Sequence, residues 1–254
     1  MIIPKHPLLQ QVVEYFWILE GTPSSGDDST LIYPEGCMEM LLSFAEPTRW
    51  SSTDHCITLS KSIFSPIRTC HYDVSPMGRV EYLSIRFRPH SLPLISDPAD
   101  LFANRACHLE DVLDPHLWKA MQPVFSMESM PQRIAYLEEL LTRWIVRGIP
   151  QQPAPFQYAL SLLQGSHGLL PIQTLCQDTG LYPRKLERQF QHFLGVPPKT
   201  YARILRFNHV MDTFFQHTPT PASEFVFQAG YADQAHFIRE CKEFTGRTPG
   251  DLFP

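Results

Sequence analysis

The sequence lacks the features that mark a membrane protein or a secreted protein. No apolar run approaches the ~20 uninterrupted residues that a membrane helix needs. The N-terminus, MIIPKHPLLQQVVEYFW, has no basic stretch followed by a long apolar run and a small-residue cleavage site. We therefore expect a cytoplasmic protein that does not engage a membrane.

Metal-binding and catalytic motifs are also missing. The six cysteines include no C-x-x-C pair, and the eleven histidines show no H-x-H or H-x-x-x-H spacing. No nucleophile elbow of the G-x-S-x-G type and no phosphate-binding glycine loop occurs. Glu35 and Glu39 are the one pair of carboxylates that suggests acid–base chemistry, but carboxylates four residues apart are far more often unrelated. We predict no catalytic site, no metal site and no cofactor.

A strong positive charge is absent as well. The formal net charge is −5, which argues against a chain that coats nucleic acid indiscriminately. Residues 153–254 hold nine Lys and Arg against eight Asp and Glu, a net charge of +1, so that part is only weakly basic. Its basic residues cluster locally, with Arg184, Lys185 and Arg188 on one predicted helix and Arg203, Arg206, Arg239, Lys242 and Arg247 nearby.

The first part of the chain is typical of a small antiparallel sheet or barrel. The chain has 254 residues, 43% of them hydrophobic, which is enough for one large domain or two ordinary ones. Within residues 1–95, clusters of Pro, Gly and Ser separate short runs of β-branched and aromatic residues. The predicted strands are Val12–Leu19, Met38–Phe44, Cys56–Leu59, Arg68–Tyr72 and Val80–Phe87.

The pattern becomes helical over residues 96–147. The candidate helices are PADLFANRA, DPHLWKAMQPVF and PQRIAYLEELLTRWIVRG. The last of these carries one apolar stripe, made of Ile134, Leu137, Leu141, Trp144 and Ile145. Residues 148–157, GIPQQPAPFQ, contain three prolines in a polar segment, which predicts an extended linker and a domain boundary.

The stretch from residue 221 to residue 254 predicts two helices joined by a tight turn. A short helix (Ala222–Ala229) precedes Gly230, and a longer helix (Ala232–Phe244) follows it. Gly230 suits a left-handed residue that ends the first helix, and Asp233 can accept hydrogen bonds from the first amides of the second. The apolar stripe of that second helix is Phe237, Cys241 and Phe244. This order of elements is typical of a helix-turn-helix.

The same pattern occurs about fifty residues earlier. Pro171–Asp178 predicts the short helix, Gly180 the turn, and Pro183 the first position of the longer helix. The stripe of the longer helix is Leu186, Phe190, Phe193 and Leu194. Between the two units, Pro198–Gln216 predicts a connecting helix of about 18 residues and ~27 Å, against ~34 Å for one turn of B-DNA.

The segment from about Phe156 to Pro254 resembles the tandem helix-turn-helix domain of the AraC/XylS family of transcription regulators. The matching positions are Leu186, Arg188, Phe190, Gly195, Pro198, Tyr201, Arg206, Ala229, Gly230, Tyr231, Asp233, Phe237, Arg239, Lys242, Gly246, Thr248 and Pro249. Two positions depart from the family pattern. Tyr182 stands where the family usually has a capping Ser, and Cys241 stands in place of a usual Phe.

The N-terminal part is more loosely similar to the sensor-like domain of one branch of these regulators, through YPEGCMEMLLSF (33–44) and SIRFRPHSL (84–92). The resemblance implies an α+β chain of two domains. Residues 1–147 would form a small β-barrel or cupin-like sensor domain with appended helices, and residues 158–254 an all-α tandem helix-turn-helix domain. An effector would lie inside the barrel, but its contacts depend on strand register, which the sequence leaves open.

The resemblance also implies which side chains face DNA. These positions are Arg184, Lys185, Glu187, Arg188, Gln234, Ala235, Arg239 and Lys242. Arginine suits guanine or phosphate, glutamine suits adenine, alanine can pack on a thymine methyl, and glutamate can accept from cytosine. The alternatives are that Arg188 or Arg239 makes packing or intramolecular ion-pair contacts, and that Glu187 is merely a solvated charge.

We therefore predict a transcription regulator that binds double-stranded DNA and responds to an effector in its N-terminal domain. The remaining predicted partners are the small-molecule effector itself, RNA polymerase and a second copy of the chain. A protein-interaction regulator, whose helix-turn-helix domain binds a partner instead of DNA, stays open as the alternative, because the net charge is weak and the capping Ser is missing.

Overall fold

The structure is a computed structural model that describes residues 1–23, 29–95, 105–146, 148–149, 151–216 and 230–252, without the side chains of residues 215 and 216. The predicted helix Ala222–Ala229 and nearly all of PADLFANRA lie outside these residues. In the part of the chain that is described, no helix is both long enough and apolar enough to cross a membrane.

The N-terminal part contains two antiparallel sheets. The described strands are β1 (Val13–Gly21), β2 (Thr30–Ile32), β3 (Met38–Ser43), β4 (Thr48–Ser51), β5 (Cys56–Leu59), β6 (Ser62–Ser65), β7 (Tyr72–Pro76), β8 (Val80–Phe87) and β9 (Cys107–His108). One sheet has the order β1-β8-β3-β6-β9 and the other β2-β7-β4-β5. No ladder between described strands joins the two sheets, so they form a cupin-like pair of layers and not a closed barrel.

Strand β8 is buried on both faces because its sheet is covered on both sides. Alternate residues of a strand point to opposite faces. Leu83 and Ile85 belong to the large apolar cluster that includes the helices, whereas Val80 and Tyr82 belong to a smaller cluster between the sheets. The sequence VEYLSIRF alternates only partly between apolar and polar residues because both faces of this central strand pack against an apolar cluster.

Most strand predictions are confirmed, and one is wrong. Cys56–Leu59 and Val80–Phe87 have the predicted bounds, while β1 and β3 differ from theirs by one or two residues. The predicted strand Arg68–Tyr72 begins only at Tyr72, because Arg68 turns back to donate a hydrogen bond to the Ser65 hydroxyl at 2.6 Å. The sequence did not predict strands β2, β4, β6 and β9, which have two to four residues each.

Four of the described helices belong to the N-terminal part. They are α1 (Leu92–Ile95), α2 (Leu109–Val112), α3 (Pro115–Met121) and α4 (Met130–Ile145). Short 3-10 helices cover Leu9–Gln11, Pro89–Ser91 and Gln122–Ser126. The predicted stripe of α4 is buried except for Trp144, which is half-buried.

Six further helices follow among the described residues. They are α5 (Ala154–Gly165), α6 (Ile172–Thr179), α7 (Pro183–Leu194), α8 (Pro198–Gln216), α9 (Gln234–Thr245) and α10 (Pro249–Leu252). Helix α5 begins inside the predicted linker 148–157, so the extended segment is shorter than the proline content suggested. Pro155 is the second residue of that helix. A proline is tolerated there because the first amides of a helix have no helical partner.

The local signals of the C-terminal part are confirmed where it is described. Gly180 ends α6 at φ +65° and Gly230 has φ +73°, both in the left-handed region. Pro183 opens α7, and Tyr182 before it makes no side-chain cap. Asp233 caps α9, its carboxylate accepting from the His236 amide at 2.6 Å. The connecting helix α8 has the predicted bounds.

The apolar stripes of α7 and α9 are buried as predicted, and α8 packs against both helices. The ring of Phe190 in α7 lies 6.1 Å from Tyr201, and the ring of Phe244 in α9 lies 5.3 Å from Phe207. Tyr33, from the loop before β3, meets Phe207 edge-on at 5.8 Å. One apolar cluster therefore extends from the first sheet through α8 to α9.

The Asp233 cap gives a direct test of local stability. Replacing Asp233 with Ala removes the side-chain acceptor for an otherwise free amide, and we expect the free energy of unfolding to fall by about 1 kcal/mol. The matched control is Asp233→Asn, which keeps an acceptor oxygen and should stay close to wild type in urea titrations. Equal losses in both variants would contradict the capping role.

Candidate nucleic-acid interface

Helix α7 has a polar face opposite its buried stripe. Leu186 and Phe190 point into the core. Because an α-helix repeats about every 3.6 residues, the charged positions near them lie on the opposite side. The exposed positions on that side are Arg184, Lys185, Glu187 and Arg188. All four predicted contacts of the first unit therefore lie together on one accessible surface.

Helix α9 repeats this arrangement. Phe237, Cys241 and Phe244 are buried, so the Cys in place of the usual Phe still fills a core position. The four predicted contacts of this unit, Gln234, Ala235, Arg239 and Lys242, are all exposed.

The predicted contact cations have no carboxylate partner among the described residues. These cations are Arg184, Lys185, Arg188, Arg239 and Lys242. Among the described residues, neither Arg188 nor Arg239 forms the intramolecular ion pair that the alternative requires. Whether these side chains contact DNA stays a prediction.

Two other arginines of the predicted cluster have a structural role instead. Arg203 and Arg206 extend from α8 to the carboxylate of Glu240 in α9, at 2.6 and 3.4 Å. Arg203 also pairs with Glu243 at 2.6 Å, and the Arg206 guanidinium lies 4.6 Å from the centre of the Tyr231 ring. Because Glu240 is only 2% exposed, these contacts fix how α9 sits on α8.

Arg247, the last of that cluster, joins α9 to the N-terminal part. It pairs with Asp73 of β7 at 2.8 Å. The neighbouring Gly246 has φ +72°, and a Cβ there would lie 2.5 Å from the His71 ring, so only glycine permits this approach. Burial lowers the pKa of His71, with Asp73 opposing the shift, so a neutral imidazole is favoured at the contact.

A second contact joins the loop before β3 to the connecting helix. A Cβ on Gly36 would lie 3.3 Å from Ile204 and 3.4 Å from Tyr201, which shows how closely that loop approaches α8. Helix α7 in turn lies against α1 and the 3-10 helix Pro89–Ser91. Helix α7 and the residues that follow α9 thus rest on the N-terminal part, while the polar faces of α7 and α9 stay exposed.

A cavity of about 130 Å³ lies between the two sheets. Its wall is mainly apolar and aromatic and includes Trp17, Leu19, Ile32, Leu41, Trp50, Val74, Val80 and Tyr82. Its polar wall residues are Thr30, Glu35, Cys37, Glu39, Ser65 and Arg68. The sequence did not reveal these residues because the inward face of each strand depends on its register.

The polar side of the cavity includes a cluster that the sequence also left unassigned. Donor atoms of Glu35, Cys37 and Glu39 lie within 4.8 Å of one another, a grouping that could hold a cation. Glu39 lies in β3, whereas Glu35 and Cys37 lie in the loop before it, on either side of Gly36 at φ +72°. The pair Glu35 and Glu39 was the available signal in the sequence. Arg86 already bonds both carboxylates, with its Nε 2.7 Å from Glu39, and burial raises the pKa of the Cys37 thiol.

Both parts of the chain match known protein families. Residues 175–253 match a family described as a helix-turn-helix domain, and residues 1–108 match a domain of unknown function, DUF6597. No curated protein matches the sequence.

Solved structures of ToxT from Vibrio cholerae share the fold at low sequence identity. One crystal form gives a TM-score of 0.51 at 10% identity, covering 94% of this chain and 97% of ToxT. ToxT bound to (E)-4-(8-methylnaphthalen-1-yl)but-3-enoic acid gives 0.52 at 10% identity, covering 94% and 98%. Unsaturated fatty acid-bound ToxT gives 0.50 at 8% identity, covering 94% of both chains. The predicted resemblance is confirmed at the level of domain and fold: residues 175–253 carry a helix-turn-helix domain of the AraC type, and the chain has the two-part fold seen in ToxT.

Proposed function

We propose that this chain is a sequence-specific transcription regulator that places α7 and α9 in consecutive major-groove segments of one duplex. The observation that carries the proposal is the matched exposure of the two helices. Each buries its apolar stripe in a shared core and leaves its four predicted contact positions accessible. The AraC-type domain supports DNA as the partner.

In this proposal α8 sets the spacing of the two helices on DNA. This helix has 19 residues and a length of about 28 Å, close to the ~34 Å of one turn of B-DNA. It is packed against α7 and α9 by aromatic contacts, and Glu240 ties it to α9 through Arg203 and Arg206. A rigid connector of this length favours binding to one side of the duplex.

The side chains suit base reading in the major groove. Arg188 and Arg239 can donate two hydrogen bonds to guanine, and Gln234 can pair with adenine. Ala235 offers a methyl surface for thymine, and Glu187 can accept from cytosine. Arg184, Lys185 and Lys242 suit phosphates, which position the protein without reading sequence.

We further propose that an effector in the cavity controls DNA binding. The segments that wall the cavity also hold the helix-turn-helix domain. Glu35 and Cys37 line the cavity, and Gly36 between them packs on α8. Val74 lines the cavity, and its neighbour Asp73 pairs with Arg247. ToxT, which has the same fold, has been crystallised with an unsaturated fatty acid, which supports a ligand-responsive N-terminal part. Contacts with RNA polymerase and a second copy stay predictions.

The first test concerns the two base-reading arginines. An operator is selected from random duplexes with the full chain, and binding is followed by fluorescence anisotropy at several salt concentrations. We expect Arg188→Ala and Arg239→Ala each to weaken operator binding, with ~1–3 kcal/mol of discrimination lost at one base position. The thermal midpoint should stay near that of the wild type, because both side chains are exposed.

The matched control is Arg49→Ala, which removes an exposed arginine from β4, outside both reading helices. Its operator affinity should equal that of the wild type. Unchanged affinity in both Arg188→Ala and Arg239→Ala would refute the proposed contacts. Failure to select any duplex, or binding without a steep salt dependence, would favour the protein-interaction alternative.

A second test concerns the docking of α9 on the N-terminal part. Asp73→Asn removes the charged partner of Arg247, and we expect faster hydrogen exchange of the amides in residues 246–252. The pair is partly exposed, so the free-energy change should be only about 0.2–1 kcal/mol. The control Glu139→Gln breaks an exposed pair with Arg143 elsewhere and should leave those amides unchanged. Unaltered exchange in Asp73→Asn would contradict the docking role.

A further inference from the structure

We propose that the cavity between the sheets takes a small apolar molecule with one anionic group, a carboxylate or its equivalent, bound by Arg68. This inference rests on the effector control proposed above and names the chemical class of the effector. Three observations support it: the unpaired charge of Arg68, the free hydrogen-bond donors in the cavity wall, and the volume of the cavity.

Arg68 is a buried cation that has no counterion among the described residues. It is 8% exposed and lines the cavity. Its guanidinium donates to the Ser65 hydroxyl at 2.6 Å and to the Tyr33 carbonyl at 3.4 Å, and it lies 5.6 Å from the centre of the Tyr72 ring. Its Nε has no hydrogen-bond partner. All of these described contacts are neutral, whereas a buried charge normally requires an opposite charge.

The other inward arginines of the N-terminal part do have carboxylate partners. Arg86 pairs with Glu39 at 2.7 Å, and Arg133 pairs with Glu81. Arg68 differs from them because no described carboxylate lies within ion-pair distance of its guanidinium. A bound anion would supply the missing charge.

Trp50 provides a second donor in the same wall. It is 4% exposed, and its indole Nε1 has no hydrogen-bond partner. An indole N–H can only donate, so it requires an acceptor. Trp17 in the same wall shows the satisfied case, donating to Glu39 at 3.1 Å. A ligand oxygen would supply the acceptor that the free N–H groups of Trp50 and Arg68 need.

The carboxylates of the cavity do not favour a cationic ligand. Glu35 and Glu39 share the guanidinium of Arg86, and Glu39 also accepts from Trp17. A ligand ammonium would have to compete with these bonds, whereas an anion at Arg68 displaces no described ion pair.

The remaining wall defines the body of the ligand. Leu19, Ile32, Leu41, Val80 and Tyr82 supply apolar surface around a volume of about 130 Å³. An apolar cavity of about 150 Å³ holds one benzene ring in another protein. The size therefore favours a single ring or a short branched chain over a long acyl chain.

The position of Arg68 also connects the ligand to the connecting helix. The Tyr33 carbonyl accepts from Arg68, and the Tyr33 ring packs edge-on against Phe207 of α8 at 5.8 Å. An anion that draws the guanidinium away from this long hydrogen bond would release the Tyr33 loop. That loop is where the N-terminal part contacts the helix that spaces α7 and α9.

The test uses three probes of similar shape and different charge, namely phenylacetate, phenylacetamide and phenethylamine. Binding to the full chain is measured by calorimetry, with tryptophan fluorescence as a second signal. We expect phenylacetate to bind at least tenfold more tightly than the amide, and phenethylamine not to bind. Arg68→Gln should remove the preference for the acid, and Arg68→Lys should restore part of it.

Trp50→Phe keeps an aromatic ring and removes only the N–H, so it tests the site even if Arg68→Gln fails to fold. We expect several-fold weaker phenylacetate binding in this variant. Equal binding of acid and amide, a preference for the amine, or no binding of any probe at millimolar concentration would overturn the proposal. Operator affinity is measured separately on the same samples. Arg68-dependent binding that leaves operator affinity unchanged would confirm the ligand class and refute effector control.

Discussion

The packing of α8 is the constraint on which the rest of the structure depends. Its Tyr201 contacts Phe190 of α7, and its Phe207 contacts Phe244 of α9 and Tyr33 of the N-terminal loop. Each aromatic pair contributes about 0.5–1.5 kcal/mol beyond the burial of its area. One helix therefore packs against both α7 and α9 and also contacts the N-terminal part through Tyr33.

The arginines of the C-terminal part divide into two groups with different roles. Arg203 and Arg206 are committed to Glu240 within the domain, whereas Arg188 and Arg239 point to solvent without a described counterion. Under the proposed function, this division leaves unpaired cations for DNA in a domain of nearly balanced charge. The exposed basic side chains lie together on the polar faces of α7 and α9. Buried Glu240 neutralises Arg203 and Arg206, which hold α9 on α8.

The helical half could largely be predicted from the sequence because its signals are local. The stripe that includes Phe190, the left-handed Gly180 and the cap at Asp233 each depend on residues within a few positions. In the N-terminal half most strands were also predicted, but the contacts between them and the cavity were not, because they join residues that are distant in sequence. Arg68, assigned to a strand, turns inward to the cavity, and the pairing of Asp73 with Arg247 spans most of the chain. No local pattern carries such contacts.

The most direct measurement of the central claim is a hydroxyl-radical footprint of the full chain on a selected operator. The account predicts two protected segments centred about one helical turn, or 10 bp, apart on the same side of the duplex. Arg188→Ala should weaken protection of one segment only, and Arg239→Ala that of the other. A single protected segment, or two on opposite sides of the duplex, would contradict the claim that α8 holds both helices in consecutive major grooves.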